Sequence, residues 1–483
     1  MKVSKHIVVL LFTLGFIGQS CYQNDKENTI ITKIETKGKS LAQLQQEFLD
    51  LRFGMFIHFN IPTFSEQDWA DPQMSPEIFN PKRLDCNQWA EVASSANMQY
   101  ACLTTKHHSG FCIWDTKTTD YNVMNSPLKR DVVKEYADAF RKKGLKIGLY
   151  YSILDTHHNI RAGWIKKENI EFIKNQLTEL LTNYGEISML VIDGWDAWWS
   201  RISYEDIPFK EIYNHIKSLQ PNCLVSEHNA GKYPDSELFY TDIKHYEQNA
   251  GQFISKATNN LPAASGYPIN ESWFWKESFP TDSVKSAEYL VYNNLKPLNE
   301  AHCNFILNAA PNRDGLIDDN AVAEFKKIGE LWKYPGKASK LKKYKRPIIA
   351  ANIAKGKPMN SSWSFDTQIS DFANDDDFTT AWVSYDAIEE PYIEVVLGEE
   401  TLVNSVGFVE LDDVPYYYKA EESRIGDYSI SYYSGGKWND LKIEPQNSFV
   451  RVHDCPFEIK ASKIRVTFWN CKKGLAISEL LVY

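Results

Sequence analysis

Several elements that usually mark catalytic chemistry are missing from this chain of 483 residues. There is no Cys-x-x-Cys pair and no histidine–cysteine spacing suited to zinc. A phosphate-cradling glycine loop and a Gly-x-Ser-x-Gly elbow are also absent, which removes nucleotide-loop and serine-elbow chemistry. Cationic excess is missing too: with a net charge of −10 and no basic patch, a nucleic-acid backbone is excluded as the partner. The apolar run Ile7 to Ile17 is too short for a membrane-spanning helix.

That run has another reading. Lys2 and Lys5 precede it, and Gly18 and Ser20 lead into Cys21, so residues 1–21 have the layout of a secretory signal peptide. Gly18-Gln19-Ser20-Cys21 resembles a bacterial lipoprotein processing site, which implies a lipid on Cys21. The expected location is the periplasm or outer membrane of a bacterium as an anchored lipoprotein, or the secreted fraction. Residues 22–40 are polar without apolar periodicity, as a tether would be. Eight cysteines in a domain this large do not make a disulfide framework. If Cys21 carries lipid, an odd number remains, and Cys102 reads as a small buried hydrophobe.

What the chain does have is aromatic rings, 14 Trp, 26 Tyr and 25 Phe, and rings of this kind stack on the flat apolar faces of sugars as well as filling cores. From about residue 41 to 336, short apolar runs alternate with amphipathic stretches. Strands are expected at Gly54–His58, Tyr100–Thr104, Lys146–Ser152, Met189–Asp193, Leu224–Glu227 and Asn304–Asn308. Helices are expected at Trp89–Ala96, Val132–Lys143, Lys167–Asn183 and Phe209–Ser218. Each strand runs into a polar or aromatic cluster: His58-Phe59-Asn60, Lys106-His107-His108, Tyr150-Tyr151-Ser152, Asp193-Gly194-Trp195, Glu227-His228-Asn229, and Asn308 ahead of Pro311. The fold class this predicts is α/β, a parallel (β/α) barrel of TIM type with its chemistry on one face.

Within those clusters Asp193 is singular, a carboxylate at the very end of an apolar run and followed by glycine. It could cap the next helix. It could equally be a nucleophile kept ionised by donors on neighbouring strand ends, and a second carboxyl group would then complete the two-carboxylate machinery of glycoside hydrolysis.

Five ordered motifs give the barrel a family resemblance. These are Arg52-Phe53-Gly54-Met55-Phe56-Ile57-His58-Phe59; Phe79-Asn80-Pro81 with Trp89; Lys106-His107-His108 running to Trp114; Tyr121 to Val133; and Gly144 to Tyr150. Together with Asn304 to Gly315 they resemble the family 29 α-L-fucosidases. The resemblance implies a retaining exo-α-L-fucosidase with Asp193 as nucleophile and His58, His107, His108, Tyr150 and Trp69 around the fucose. No catalytic cofactor is implied, and fucosylated glycans are the implied partners. For the acid/base residue Glu247 comes first, Glu227 second and Glu271 third, with Glu247 placed after a strand end at Tyr240–Asp242. The style of His58-Phe59 and Phe79-Asn80-Pro81 is closer to relatives that prefer α1,3/1,4-branched fucose. Three positions depart from the pattern: Ser109 where Asp is usual, Val191 where Trp is common, and Asp68 where Glu is usual. Ser109 and Val191, with the displaced acid/base residue, motivate the alternative of a catalytically impaired glycan-binding lipoprotein on the same barrel.

After a Lys- and Gly-rich linker, residues 337–350, the remainder (351–483) changes to short alternating strands at Tyr392–Leu397, Ser405–Leu411, Tyr428–Tyr433, Lys463–Trp469 and Ile477–Tyr483, an antiparallel β-sandwich. Asn352 to Pro358, Ala373 to Trp382, Val396-Leu397-Gly398 and Ser478-Glu479-Leu480 resemble the discoidin-like (coagulation factor 5/8 C-type) jelly roll. That resemblance implies a module that either binds carbohydrate or buttresses the barrel, and a structural Ca²⁺ held by Asp377, Thr380 and Glu479, oxygen donors suited to a hard cation.

Overall fold

A computed structural model of the chain describes residues 38–195, 197, 199–227, 241–250, 252, 254, 262–341, 352–365, 367–375, 377, 380–412, 414, 417, 420, 422–447 and 449–483. Cys21 and the signal and tether segments up to residue 37 lie outside them, as do His228, Asn229 and Tyr240.

Eight parallel strands occupy the first part: β1 (Phe53–Ile57), β2 (Tyr100–Lys106), β3 (Lys146–Ser152), β4 (Met189–Asp193), β5 (Leu224–Glu227), β6 (Lys244–Glu247), β7 (Ala263–Pro268) and β8 (Cys303–Ala309). Their order is β5-β4-β3-β2-β1-β8-β7-β6, so β1 sits at the middle of the path and β5 and β6 are its two ends. Asp242 bridges those ends: its N–H donates to Val225 O at 2.8 Å, and its Oδ2 accepts from Val225 N at 2.9 Å. Tyr213 and Lys217 hold the same carboxylate, each at 2.6 Å. The result is a near-closed TIM-like barrel.

Helices α1 (Leu41–Leu51), α2 (Cys86–Ser95), α3 (Val132–Lys142), α4 (Lys167–Thr182) and α5 (Phe209–Leu219) accompany the sheet, and Asp319–Leu331 is the last long one. Asp85 and Asp131 cap α2 and α3 through their carboxylates, satisfying N–H groups that the first turn leaves open. Strands such as Phe53-Gly-Met-Phe-Ile57 are buried throughout, as expected where both sheet faces are covered. Gly54 is dictated by packing, because a Cβ there would come within 2.5 Å of the Tyr100 ring.

The expected strands and helices from β1 to β5 are present to within a few residues. Two strands carried no sequence signal, β6 and β7. The expected strand end at Tyr240–Asp242 is corrected: residues 241–243 form a bend and the strand follows at Lys244–Glu247. Glu247 therefore ends a barrel strand instead of sitting in the loop beyond one.

The C-terminal part is a separate, wholly antiparallel sheet with path β10 (Trp382–Val383), β15 (Ala476–Val482), β11 (Tyr392–Glu410), β14 (Val450–Trp469), β12 (Asp427–Ser434), β13 (Lys437–Asp440); β9 (Met359–Ser361) pairs with β11. Tyr392–Leu397 and Ser405–Leu411, read as two strands, belong to the single long strand β11, whose pairing with β14 shifts register between Val396 and Thr401 and again before Ser405. Phe408, Leu480 and Val482 join Trp382, Ile430 and Phe468 in the sheet's own core. Their neighbours Val409, Leu481 and Tyr483 are counted with the barrel's apolar cluster. Period-2 alternation thus sends one face of β11 and β15 inward and the other onto the barrel.

Candidate active site

The C-terminal ends of β1 to β4, β6 and β8 bring their polar residues to one region. Tyr150 on β3 donates its phenol O–H to Asp193 Oδ2 at 2.7 Å, and His108 Nε2 stands 3.9 Å from the same oxygen. Burial first, and then the negative charge of Asp193 with a further contribution from Glu247, pushes the Tyr150 phenol well above its ordinary pKa. It therefore stays a donor through the physiological range.

The histidines are oriented by residues that have already committed their own protons. Asn308 Nδ2 donates to Trp273 O at 2.8 Å, so its Oδ1 faces His58 Nδ1 at 2.7 Å and that nitrogen carries the proton. Ser152 follows the same logic. Its hydroxyl donates to Leu154 O at 2.7 Å, so it accepts from His108 Nδ1–H, also at 2.7 Å. Both imidazoles are thereby turned so that Nε2 is the atom presented away from the anchoring partner. His107 packs between them and Tyr150, with ring centroids 4.0 Å from His108 and 6.3 Å from His58.

The loop bearing His107 and His108 is tied down from outside the barrel. Lys106 Nζ reaches Tyr151, Asp155 and Gln176 at 2.9, 3.1 and 3.1 Å, and Asp155 in turn meets His158 at 2.9 Å. Burial alone would raise the Asp155 pKa; Lys106 and the His158 bonds overcome it and hold the carboxyl well below the usual range. Gly110 packs directly on this carboxylate: a Cβ would lie 2.2 Å from Asp155 Oδ1, and φ is +91°, so the turn needs glycine.

The two favoured candidate acids stand differently. Glu247, at the end of β6, accepts from Trp273 Nε1 at 2.8 Å, and the Trp273 ring lies 4.8 Å from His58. Glu227, at the end of β5, is more deeply buried and accepts from Tyr204 at 2.7 Å. Glu271 is exposed. Trp69 lies at the rim, 46% exposed, with its ring 4.5 Å from His108. Its neighbour Asp68 accepts from Ser272 Oγ at 2.6 Å and from Phe274 N at 3.4 Å, joining the loop after β1 to the one that carries Trp273. Val191 is buried with Phe56, Tyr150 and Leu224. Ser109 is buried as well.

Sequence reasoning passed over Trp199, Trp273 and the anchoring role of Asn308. The one available signal for Trp199 was the density of tryptophans directly after Asp193.

In the antiparallel sheet, Thr380 Oγ1 donates to Asp375 Oδ2 at 2.8 Å and to Asp377 O at 2.9 Å, and Glu479 is buried on β15. Among the described residues no group of three or more His, Cys, Asp or Glu is placed to hold a metal ion. Among the described residues Cys86, Cys102, Cys112, Cys223, Cys455 and Cys471 form no disulfide.

A TIM-like barrel with a tyrosine-held aspartate, oriented imidazoles and further carboxylates at its strand ends has the parts that two-carboxylate glycoside hydrolysis uses. The α-L-fucosidase family model matches residues 64–337, and the chain belongs to that family, glycoside hydrolase family 29. It is 30% identical over 387 residues to α-L-fucosidase 1 of Arabidopsis thaliana, covering 74% of this chain and 70% of the relative. To human plasma α-L-fucosidase it is 26% identical over 350 residues, covering 64% and 72%. Among solved structures, that of SpGH29 aligns with a TM-score of 0.51 and 22% identity over 91% of this chain and 97% of the other, a likeness of fold.

Proposed function

We propose that the protein is a retaining exo-α-L-fucosidase that removes terminal α-linked L-fucose from oligosaccharides or glycoconjugates, with a preference for α1,3/1,4-branched fucose. The observation that carries this reading is the Tyr150–Asp193 hydrogen bond at a barrel strand end, beside two oriented imidazoles. In the first step Asp193 attacks the anomeric carbon as the glycosidic C–O bond breaks, and Glu247 delivers a proton to the leaving oxygen. Water, deprotonated by the same Glu247, then opens the glycosyl ester and regenerates both carboxyl groups. His58, His107, His108 and Tyr150 orient ring hydroxyls, and Trp69 borders the pocket. Glu247 is preferred over Glu227 because Trp273 ties it to the histidine cluster: the indole N–H donates to its carboxylate at 2.8 Å and the same ring lies 4.8 Å from His58.

Asp193→Ala should abolish release of 4-nitrophenol from the α-L-fucoside. Azide should rescue Glu247→Ala and leave Glu227→Ala unrescued; the opposite result moves the acid/base role to Glu227. Binding of fucosylated glycans with no hydrolysis of any by the wild-type protein would establish the glycan-binding alternative.

Two ancillary proposals concern other parts of the chain. Oxygen donors fit a hard cation, and Asp377, Thr380 and Glu479 would hold a structural Ca²⁺ in the C-terminal sheet; chelation should then lower Tm and added Ca²⁺ restore it. Export with a lipid on Cys21 predicts that Cys21→Ala moves the protein from the membrane fraction to the soluble one.

A further inference from the structure

Directly after Asp193 the described residues of the chain turn back on themselves and carry a half-buried tryptophan, Trp199. Gly194 and Arg201 both have positive φ, +113° and +54°. Ser200 Oγ donates back to Gly194 O, Ser200 N and Arg201 N donate to Ala197 O at 3.1 and 2.9 Å, and Trp195 bridges to Ile202. Trp195 itself is buried, its Nε1 donating to Ile207 O at 2.9 Å. These bonds tie the described residues of the segment to one another and to Ile207. Trp199, near its end, lays its ring 4.5 Å from His108 and meets Trp69 edge to face at 5.1 Å.

The site is graded by depth. His58, His107 and Tyr150 are almost fully buried and offer polar atoms, whereas Trp69 is exposed and Trp199 half-buried, offering ring faces and edges. A sugar held by the buried clamp leaves its glycosidic substituent pointing toward the rim, where an indole face matches the C–H face of a second pyranose. We propose that Trp199, with Trp69, forms the aromatic wall that receives the sugar residue to which fucose is attached. Trp199 is then a specificity-determining residue for the leaving group. The inference rests on the fucosidase reading above. A ring already packed against His108 and Trp69 loses little freedom on binding, so its contact is realised in affinity.

The test is calorimetric titration in the Asp193→Ala background, which separates binding from turnover, using free L-fucose and a Lewis-type trisaccharide bearing α1,3-linked fucose. With Trp199→Ala added, affinity for the trisaccharide should fall about tenfold or more, and affinity for L-fucose should stay within about threefold. Trp199→Phe, which keeps a ring, should recover most of the trisaccharide affinity and guards against a merely distorted loop. Equal losses for both ligands, or an unchanged trisaccharide affinity, would overturn the proposal while leaving the fucosidase reading standing. If the Asp193→Ala protein binds neither ligand, the fucosidase reading falls and the inference with it.

Discussion

Tyr150 and Asp193, on adjacent parallel strands, are joined by a 2.7 Å hydrogen bond from phenol to carboxylate, and Tyr150 has a second role as a buried ring between Phe56 and His107. Tyr150→Phe removes the donor and keeps the ring. A hydrogen bond to a charged group contributes ~1.5–3 kcal/mol, so kcat/KM should drop by roughly 10- to 150-fold with Tm nearly unchanged. Steady-state kinetics beside a melting curve checks this; wild-type kinetics in the variant would remove Tyr150 from the mechanism.

Trp273 joins two parts of the site, stacking on His58 and donating its indole N–H to Glu247. Trp273→Phe keeps the stacking and deletes the donor. A carboxylate that loses a donor shifts toward its protonated form, and a general acid must be protonated to act. The basic limb of kcat/KM against pH should therefore move upward, by up to about one unit, with a modest loss of rate. If the limb stays where it was, Glu247 is not the acid that this limb reports.

Much of this site was legible because its chemistry interrupts apolar runs. Asp193 ends the run Met189–Ile192, and His58, His107, His108 and Tyr150 sit where buried strands end. Strands β6 and β7 were not legible, and the reason is physical. Lys244-His245-Tyr246-Glu247 and Ala263-Ala264-Ser265-Gly266-Tyr267-Pro268 lack the β-branched apolar runs that mark a buried strand. The barrel nonetheless buries them: His245 packs against Phe56 at 6.2 Å, a contact no local pattern encodes. In β11 the segment Gly398-Glu399-Glu400 looks like a turn between strands, but pairing resumes after a register shift. The anchoring of His58 by Asn308 depends on β1 and β8 being neighbours, which spacing along the chain does not show.

Lys106 and Asp155 form an ion pair with both side chains fully buried. Breaking one partner of such a pair leaves an uncompensated charge, so Lys106→Met should cost roughly 3–5 kcal/mol, partly offset by the His158 contact. The pH dependence follows from the signs. Asp155 is held below the usual carboxylate range, so its contribution is present above the unfolded value of about 4 and is lost as pH falls further. Burial lowers the Lys106 pKa, but Tyr151 and Asp155 outweigh it and the net shift is upward; its contribution is present below the unfolded value of about 10.4 and is lost as pH rises through the raised one. Melting temperatures from pH 3 to 11 should show a plateau in the wild type that is lowered in Lys106→Met. Equal stability of the two proteins at pH 7 would refute the assignment.

Two serines near His108 should behave in opposite ways. Ser109 Oγ is buried with no hydrogen-bond partner among the described residues, and an unsatisfied buried hydroxyl costs ~1–3 kcal/mol; Ser109→Ala removes that cost, so Tm should hold or rise and turnover should stay within about twofold. Ser152, by contrast, accepts the Nδ1 proton of His108. Ser152→Ala strands that N–H inside the barrel and frees the ring to change tautomer, so kcat/KM should fall about tenfold or more, and the His108 ¹⁵N shifts should lose the pattern of a protonated Nδ1. The paired comparison is the informative one, because the serines lie close to the same imidazole and the substitution is chemically identical. A comparable loss of activity in both variants would show that crowding around His108, and not the orientation of its ring, sets the rate.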